Sequence, residues 1–180
     1  MEGQAGEALG GRRGPADGDG MGSNFPGYGV CAVIDRGANR TTVSRAADRQ
    51  VLWTADVAPA RALVGNSGTL IEEYAGGVLL EPDVGPDSVL MTVRNASGVL
   101  RQSRLRDVAA EPGALPARVS HRQWTHFAGF RPDGKYVVQT MDGRLIHVDL
   151  ASGALTAEAV PGGEARWACL YGAPNCARRR

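Results

Sequence analysis

The sequence predicts an all-β fold of short antiparallel strands, and three observations lead to that prediction. Glycine (25 residues) and proline (10) are frequent while aromatic residues make up only 6%, which suits strands joined by turns better than a helical bundle. Apolar residues account for 43% of the 180 residues, enough for one domain with a core. The stretch from Phe127 to Gly153 has the pattern of a three-stranded meander, because Pro132-Asp133-Gly134 and Asp142-Gly143 form turns between β-branched and aromatic runs.

The chain divides into three regions by composition. Residues 1–24 contain scarcely any large apolar side chain, so we expect a disordered leader, within which Met21 is an alternative start. Residues 25–176 carry the predicted β domain, and residues 177–180 form a basic tail. The segment from Ala58 to Val64 is compatible with a helical turn or a strand, and strand with loop is favoured. Alternating or β-branched runs bounded by turn residues predict the other strands, at Tyr28–Ile34, Arg40–Ser44, Val51–Thr54, Thr69–Tyr74, Val78–Leu80, Val89–Val93, Val99–Leu105, Tyr136–Thr140, Leu145–Leu150, Ala154–Val160 and Arg166–Tyr171.

Charge and cysteine content restrict the classes of partner and compartment. The formal net charge is +1, so nothing favours a nucleic acid or a membrane surface as partner. No apolar run approaches the roughly 18 residues of a membrane span, and no signal peptide opens the chain. We therefore predict a cytoplasmic protein, or an extracytoplasmic one if its natural start lies upstream. Cys169 and Cys176 could form a disulfide across a turn, but reduced thiols are favoured because Cys31 leaves an odd count.

An internal repeat links two parts of the chain. The order Pro86-Asp87, Val89–Val93, Ser97-Gly98 and Val99–Leu105 recurs about 46 residues later. The second copy consists of Pro132-Asp133, Tyr136–Val138, Asp142-Gly143 and Leu145–Leu150. A period of about 45 residues with four short strands per unit is typical of a propeller blade.

The segments from Phe130 to Tyr136 and from Asp142 to Gly153 carry the clearest copy of this pattern. They resemble the blades of WD40-like and related bacterial β-propeller repeats, in which a Pro-Asp-Gly turn, an Asp-Gly turn and Asp-Leu-x-x-Gly follow successive strands. Val148 stands where WD40 repeats usually have tryptophan, which favours a degenerate propeller. The resemblance implies antiparallel four-stranded blade-like meanders in an incomplete propeller of about three blades. Closed propellers have about four to eight blades, so a fragment, an open meander or a ring completed by association are all compatible with it.

No combination of polar residues predicts a catalytic, cofactor or metal site. His121 and His126 are five residues apart, so on one strand they would point to opposite faces. His147 is expected to be half exposed, because Ile146 and Val148 form the better core face. Ser67 lies in an ordinary turn without a nucleophile motif.

The remaining polar and aromatic residues have structural interpretations. Asp87, Asp133 and Asp142 are expected to accept backbone hydrogen bonds in turns. Three further polar residues of the clearest repeat are not assigned to a site: Arg131, Lys135 and Arg144. Three tryptophans are expected to be the large packing residues of successive sheets: Trp53, Trp124 and Trp167.

These observations predict a non-catalytic binding or scaffold protein that contacts another protein, or a second copy of itself, through open blade edges or faces. No cofactor is predicted. The alternative is a fragment of an enzyme or sensor propeller, hydrolase-like or quinoprotein-like, whose site lies in missing blades. A truncated remnant without a selected function is the third interpretation.

Overall fold

The computed structural model describes residues 29–116, 120–130 and 135–160. The described strands, in chain order, are β1 (Val30–Asp35), β2 (Arg40–Arg45), β3 (Val51–Ala55), β4 (Arg61–Val64), β5 (Leu70–Glu73), β6 (Leu79–Leu80), β7 (Val89–Asn95), β8 (Gly98–Arg104), β9 (Arg122–Gln123), β10 (Thr125–Phe130), β11 (Tyr136–Thr140), β12 (Arg144–Val148) and β13 (Leu155–Ala159). A one-turn helix, α1 (Leu105–Val108), and a 3-10 turn at Pro112–Ala114 follow β8. The all-β prediction is therefore confirmed.

The strands form three successive antiparallel sheets. The first sheet has the order β1-β2-β3, the middle sheet β4-β5-β7-β8, and the last sheet β10-β11-β12-β13. Strand β6 leaves the middle sheet between β5 and β7 and pairs with β9. The predicted meander is thus present in the last sheet, where β13 adds a fourth strand.

The middle sheet is covered on both faces, because alternate residues along its strands enter two different cores. Leu70 packs with Val43 of the first sheet in a small cluster. Its neighbour Ile71 belongs instead to the main cluster, together with Val138 and Ile146 of the last sheet. Since successive side chains of a strand point to opposite faces, the three sheets are layered in the order first, middle, last.

The layers are also joined by polar contacts. The Trp53 indole N–H donates to the Gly68 carbonyl at 2.9 Å, which links the first sheet to the turn before β5. The Thr69 hydroxyl donates to the Leu150 carbonyl at 3.0 Å, which links the middle sheet to the turn between β12 and β13 of the last sheet. Both carbonyls lie in turns, where their hydrogen-bonding capacity is not used by a strand ladder.

The two copies of the sequence repeat form hairpins at different positions in their sheets. The first copy becomes β7-β8, which lies at one edge of the middle sheet, whereas the second becomes β11-β12, at the centre of the last sheet. A shift of 46 residues along the sequence therefore does not relate the strands of one sheet to equivalent strands of the next. The sequence similarity comes from two turns of similar chemistry, Ser97-Gly98 and Asp142-Gly143, in which Gly98 and Gly143 both have positive φ.

Other expectations have mixed outcomes. The strand predicted to continue to Leu105 ends at Arg104, because α1 begins at Leu105. The Ala58–Val64 segment contains loop and strand β4, as favoured. The leader, the turn at residues 131–134, the strand at residues 166–171, Cys169, Cys176 and the basic tail lie outside the described residues. No helix within the described ranges is both long enough and apolar enough to cross a membrane.

Candidate functional site

The histidines singled out by the sequence do not come together as a ligand set. His121 lies just before β9 and its Nδ1 is 2.8 Å from the Ser120 hydroxyl, whereas His126 is on β10. His147 is on β12, with 29% of its side chain exposed and Nε2 3.3 Å from a Glu158 carboxylate oxygen. This confirms its expected half-exposed position. Across the described ranges, no three His, Cys, Asp or Glu side chains are arranged to hold a metal ion.

The turn residues have the structural roles expected of them, with one difference. The Ser67 hydroxyl pairs with the Thr69 hydroxyl at 3.0 Å inside its turn. Asp87 forms ion pairs with Arg104 at 3.2 Å and Arg106 at 2.5 Å, although backbone hydrogen bonds were expected for its carboxylate. Asp133 and Arg131 lie outside the described residues, and Lys135 is exposed.

Asp142 and Arg144 hold the segment after β8 against the last sheet. An Asp142 carboxylate oxygen accepts from the Ala110 N–H at 2.9 Å and from Arg144 Nε at 3.0 Å, while Arg144 Nη2 donates to the Val108 carbonyl at 2.6 Å. Burial alone would raise the pKa of Asp142, but hydrogen bonds from Thr140, Ala110 and Arg144 outweigh it and lower the pKa. A depression of about 400 Å³ adjoins this network. The Asp142 carboxylate and the Arg144 guanidinium neutralise each other there, so their role is to connect the middle sheet to the last sheet.

The tryptophans behave as predicted where they are described. Trp124 is 4% exposed within the main core and its indole N–H donates to the Gly77 carbonyl at 2.7 Å. Trp53 is partly buried against the smaller core. Trp167 lies outside the described residues.

A polar cluster that sequence reasoning missed lies between the middle and last sheets. The Tyr136 hydroxyl donates to Glu73 Oε1 at 2.5 Å, and Arg61 Nε lies 3.5 Å from the other carboxylate oxygen. Burial raises the pKa of Tyr136 well above its usual value, and the adjacent carboxylate adds to the shift. Tyr136 and Glu73 are 63 residues apart in sequence, so no local motif could have revealed their contact.

The chemistry of this cluster is structural. The adjoining cavity has a volume of about 40 Å³, which is room for a water molecule but far below the roughly 300 Å³ of a small-molecule pocket. A tyrosine with a raised pKa remains neutral at pH 7, and its carboxylate partner is compensated by Arg61. The cluster therefore fastens one sheet to the next and lacks space for a substrate.

The outer face of the first sheet has a different character. Strand register places eight side chains on the face opposite the small core: Cys31, Val33, Asp35, Arg40, Thr42, Ser44, Val51 and Thr54. The two charged residues, Asp35 and Arg40, are cross-strand partners at one end of the face. Val33 and Val51 are each 54% exposed, so the rest of this face presents apolar and small polar groups.

The outer face of the last sheet is the corresponding surface at the other end of the layers. Strand register places seven side chains there: Phe127, Val137, Gln139, Leu145, His147, Thr156 and Glu158. Phe127 is 44% exposed. Its ring lies over Gly129, since a Cβ on that glycine would meet the ring at 3.0 Å. The side chains of this face are thus larger than those in the central part of the first sheet's outer face.

Comparisons with known proteins identify no family for this chain. No protein-family model matches the sequence, and no curated protein matches it. Among solved structures, the chain is similar to the crystal structure of a "Putative exported protein" from Bacteroides fragilis NCTC 9343, with a TM-score of 0.39 and 11% identity. The match covers 77% of this chain and 36% of that one, so the chain spans little more than a third of that protein. A TM-score of this size does not establish a shared fold.

Proposed function

We propose that this chain is a non-catalytic, propeller-like binding protein whose outer sheet faces contact another protein chain. The observation that carries the proposal is the outer face of the first sheet, where Val33 and Val51 are each 54% exposed and the charged side chains, Asp35 and Arg40, lie together at one end. Exposed apolar side chains grouped on one face and bordered by polar residues are typical of surfaces that a partner covers.

The energetic argument favours covering this face. Full burial of a valine side chain contributes roughly 1.5–3 kcal/mol, and about half of each valine is still exposed. Covering both would contribute about 1.5–3 kcal/mol by the same relation. Among the described strands, β1 and β3 each pair with a neighbour on one side only, which leaves their other edge for pairing with another chain.

The layered arrangement supports the propeller-like part of the proposal. Each internal layer boundary is an apolar core between two antiparallel sheets, as it would be between neighbouring blades. A row of three such sheets has two outer faces, and a closed ring has none. The need to cover those two faces is the reason to expect a protein partner.

Light scattering coupled to size-exclusion chromatography, together with fluorescence of an apolar dye, tests the proposal on the full chain. We expect association, or dye binding by the monomer. Val33→Glu should weaken either signal several-fold because it places a charge at the centre of the face. Val99→Glu is the matched control, since Val99 on β8 is 48% exposed but lies outside both outer faces. A monomer that binds no dye would refute the proposal.

A further inference from the structure

We infer that the partner is a second copy of this chain, bound head to tail. The outer face of the first sheet of each copy packs on the outer face of the last sheet of the other, so two equivalent seams close a six-sheet ring. This inference rests on the proposed function and names the partner for the same faces.

The two faces differ in side-chain size in a way that suits this pairing. The central part of the first sheet's outer face presents Val33, Thr42 and Val51, which are short and β-branched, and the longer Arg40 lies at one end beside Asp35. The last sheet presents longer groups, among them Phe127, Leu145 and His147. Facing layers interdigitate best when large side chains oppose small ones, so each face is better suited to the other than to itself.

The area that each seam would bury explains why two seams are needed. The first sheet has three strands, and β1 and β2 are six residues long. With strands about 4.8 Å apart and a rise of about 3.3 Å per residue, its outer face measures about 14 by 20 Å, or about 290 Å². One seam then buries about 600 Å² counting both surfaces, below the roughly 1,000 Å² of a specific interface, whereas two seams bury about 1,200 Å².

The number of sheets gives the stoichiometry. Closed propellers contain about four to eight blades, and each copy supplies three described sheets of three or four strands, besides the two-stranded β6-β9 pair. Two copies give six, which lies inside this range, while one or three copies fall outside it. A heterologous contact that closes on itself yields a ring, and one that does not close grows into a filament.

Complementary variants of the full chain provide the test. Val33→Glu changes only the outer face of the first sheet, and Phe127→Glu changes only that of the last sheet. Both positions are well exposed, at 54% and 44%, so the variants should fold, which far-UV circular dichroism checks. Each variant alone introduces a charge into both seams. An equimolar mixture can form a dimer in which one seam is unaltered and the other carries both changes.

We expect wild type to have twice the 18.9 kDa chain mass in light scattering at micromolar concentration. Each variant should dissociate at least tenfold more readily, the mixture should recover part of the dimer, and Val99→Glu should match wild type.

Cys31 provides a reporter specific to the first face, because it is free and only partly exposed there. In a Cys169→Ser/Cys176→Ser background, its maleimide labelling should slow as protein concentration rises, and Val33→Glu should abolish that slowing.

Several outcomes would overturn the inference. If Phe127→Glu leaves the dimer intact, the first faces pair with each other and the head-to-tail arrangement is wrong. Filaments of increasing mass would show that the contact does not close. A monomer that still binds dye through the first face would exclude a second copy yet leave the proposed function standing, while a monomer without dye binding would refute both.

Discussion

The Tyr136–Glu73 hydrogen bond is the contact whose removal best tests how the middle and last sheets are held together. Tyr136 is 1% exposed, and its hydroxyl lies 2.5 Å from a Glu73 side chain that is itself only 12% exposed. Tyr136→Phe keeps the ring and its edge-to-face contact with Phe130. It removes only the donor, so a largely buried carboxylate loses one of its two partners.

The loss of stability expected for Tyr136→Phe follows from the charge of the hydrogen-bond acceptor, the Glu73 carboxylate. A hydrogen bond to a charged group contributes roughly 1.5–3 kcal/mol, so we expect Tyr136→Phe to reduce the free energy of unfolding by about 2 kcal/mol. With a urea slope of about 2 kcal/mol per molar, the midpoint should move by about 1 M. Tyr74→Phe is the matched control, since its hydroxyl donates to the exposed carboxylate of Glu81 and such pairs contribute less than about 1 kcal/mol.

The same bond predicts a pH dependence at the alkaline end. The pKa of Tyr136 in the folded protein lies well above its usual 10.0, so the unfolded chain loses this proton first as pH rises. The stability that this group contributes is complete below pH 10 and decreases as pH rises further. The difference between wild type and Tyr136→Phe should therefore narrow above pH 10.

Urea unfolding followed by tryptophan fluorescence at pH 7 and at several values above 10 measures both effects. A Glu73→Gln background should reduce the cost of Tyr136→Phe, because the acceptor is no longer charged. If Tyr136→Phe costs no more than Tyr74→Phe at pH 7, the hydrogen bond does not hold the sheets together and the reasoning fails.

Two further predictions concern contacts between layers. Asp142→Asn should lower unfolding free energy by about 1 kcal/mol at neutral pH. Because the folded-state pKa of Asp142 is lowered, its contribution is present above the usual 3.8 and is lost as pH falls through the folded value. The urea midpoints of wild type and Asp142→Asn should converge below pH 3.8. A difference between the two midpoints that does not change with pH would contradict the stabilising role of the Asp142 carboxylate. Gly153→Ala should lower the thermal unfolding temperature more than Gly98→Ala does, although both glycines have positive φ. Only at Gly153 would the new Cβ meet another Cβ, that of Arg101, at 2.8 Å. Equal decreases in unfolding temperature would contradict this close approach.

The strands were predictable because their signals are local. Tyr136–Thr140 is β-branched and aromatic, and the Asp142-Gly143 turn that follows it adopts the positive φ that glycine tolerates. The burial of Ile146 beside a half-exposed His147 followed from the alternation of a strand. The repeat was less informative, since similar turns placed β7-β8 at a sheet edge and β11-β12 at a sheet centre.

The sequence by itself determined the fold class, the positions of most strands and the glycines of their turns, because each depends on residues a few positions apart. Tertiary structure alone decided which sheet is covered on both faces, which two faces no other described sheet covers, and how Glu73 meets Tyr136. Those features depend on contacts between segments distant in the sequence, among them Tyr136 with Glu73, 63 residues apart, and Thr69 with Leu150, 81 residues apart. Many pairings of amphipathic strands would bury similar apolar area, so the strand pattern does not select among them.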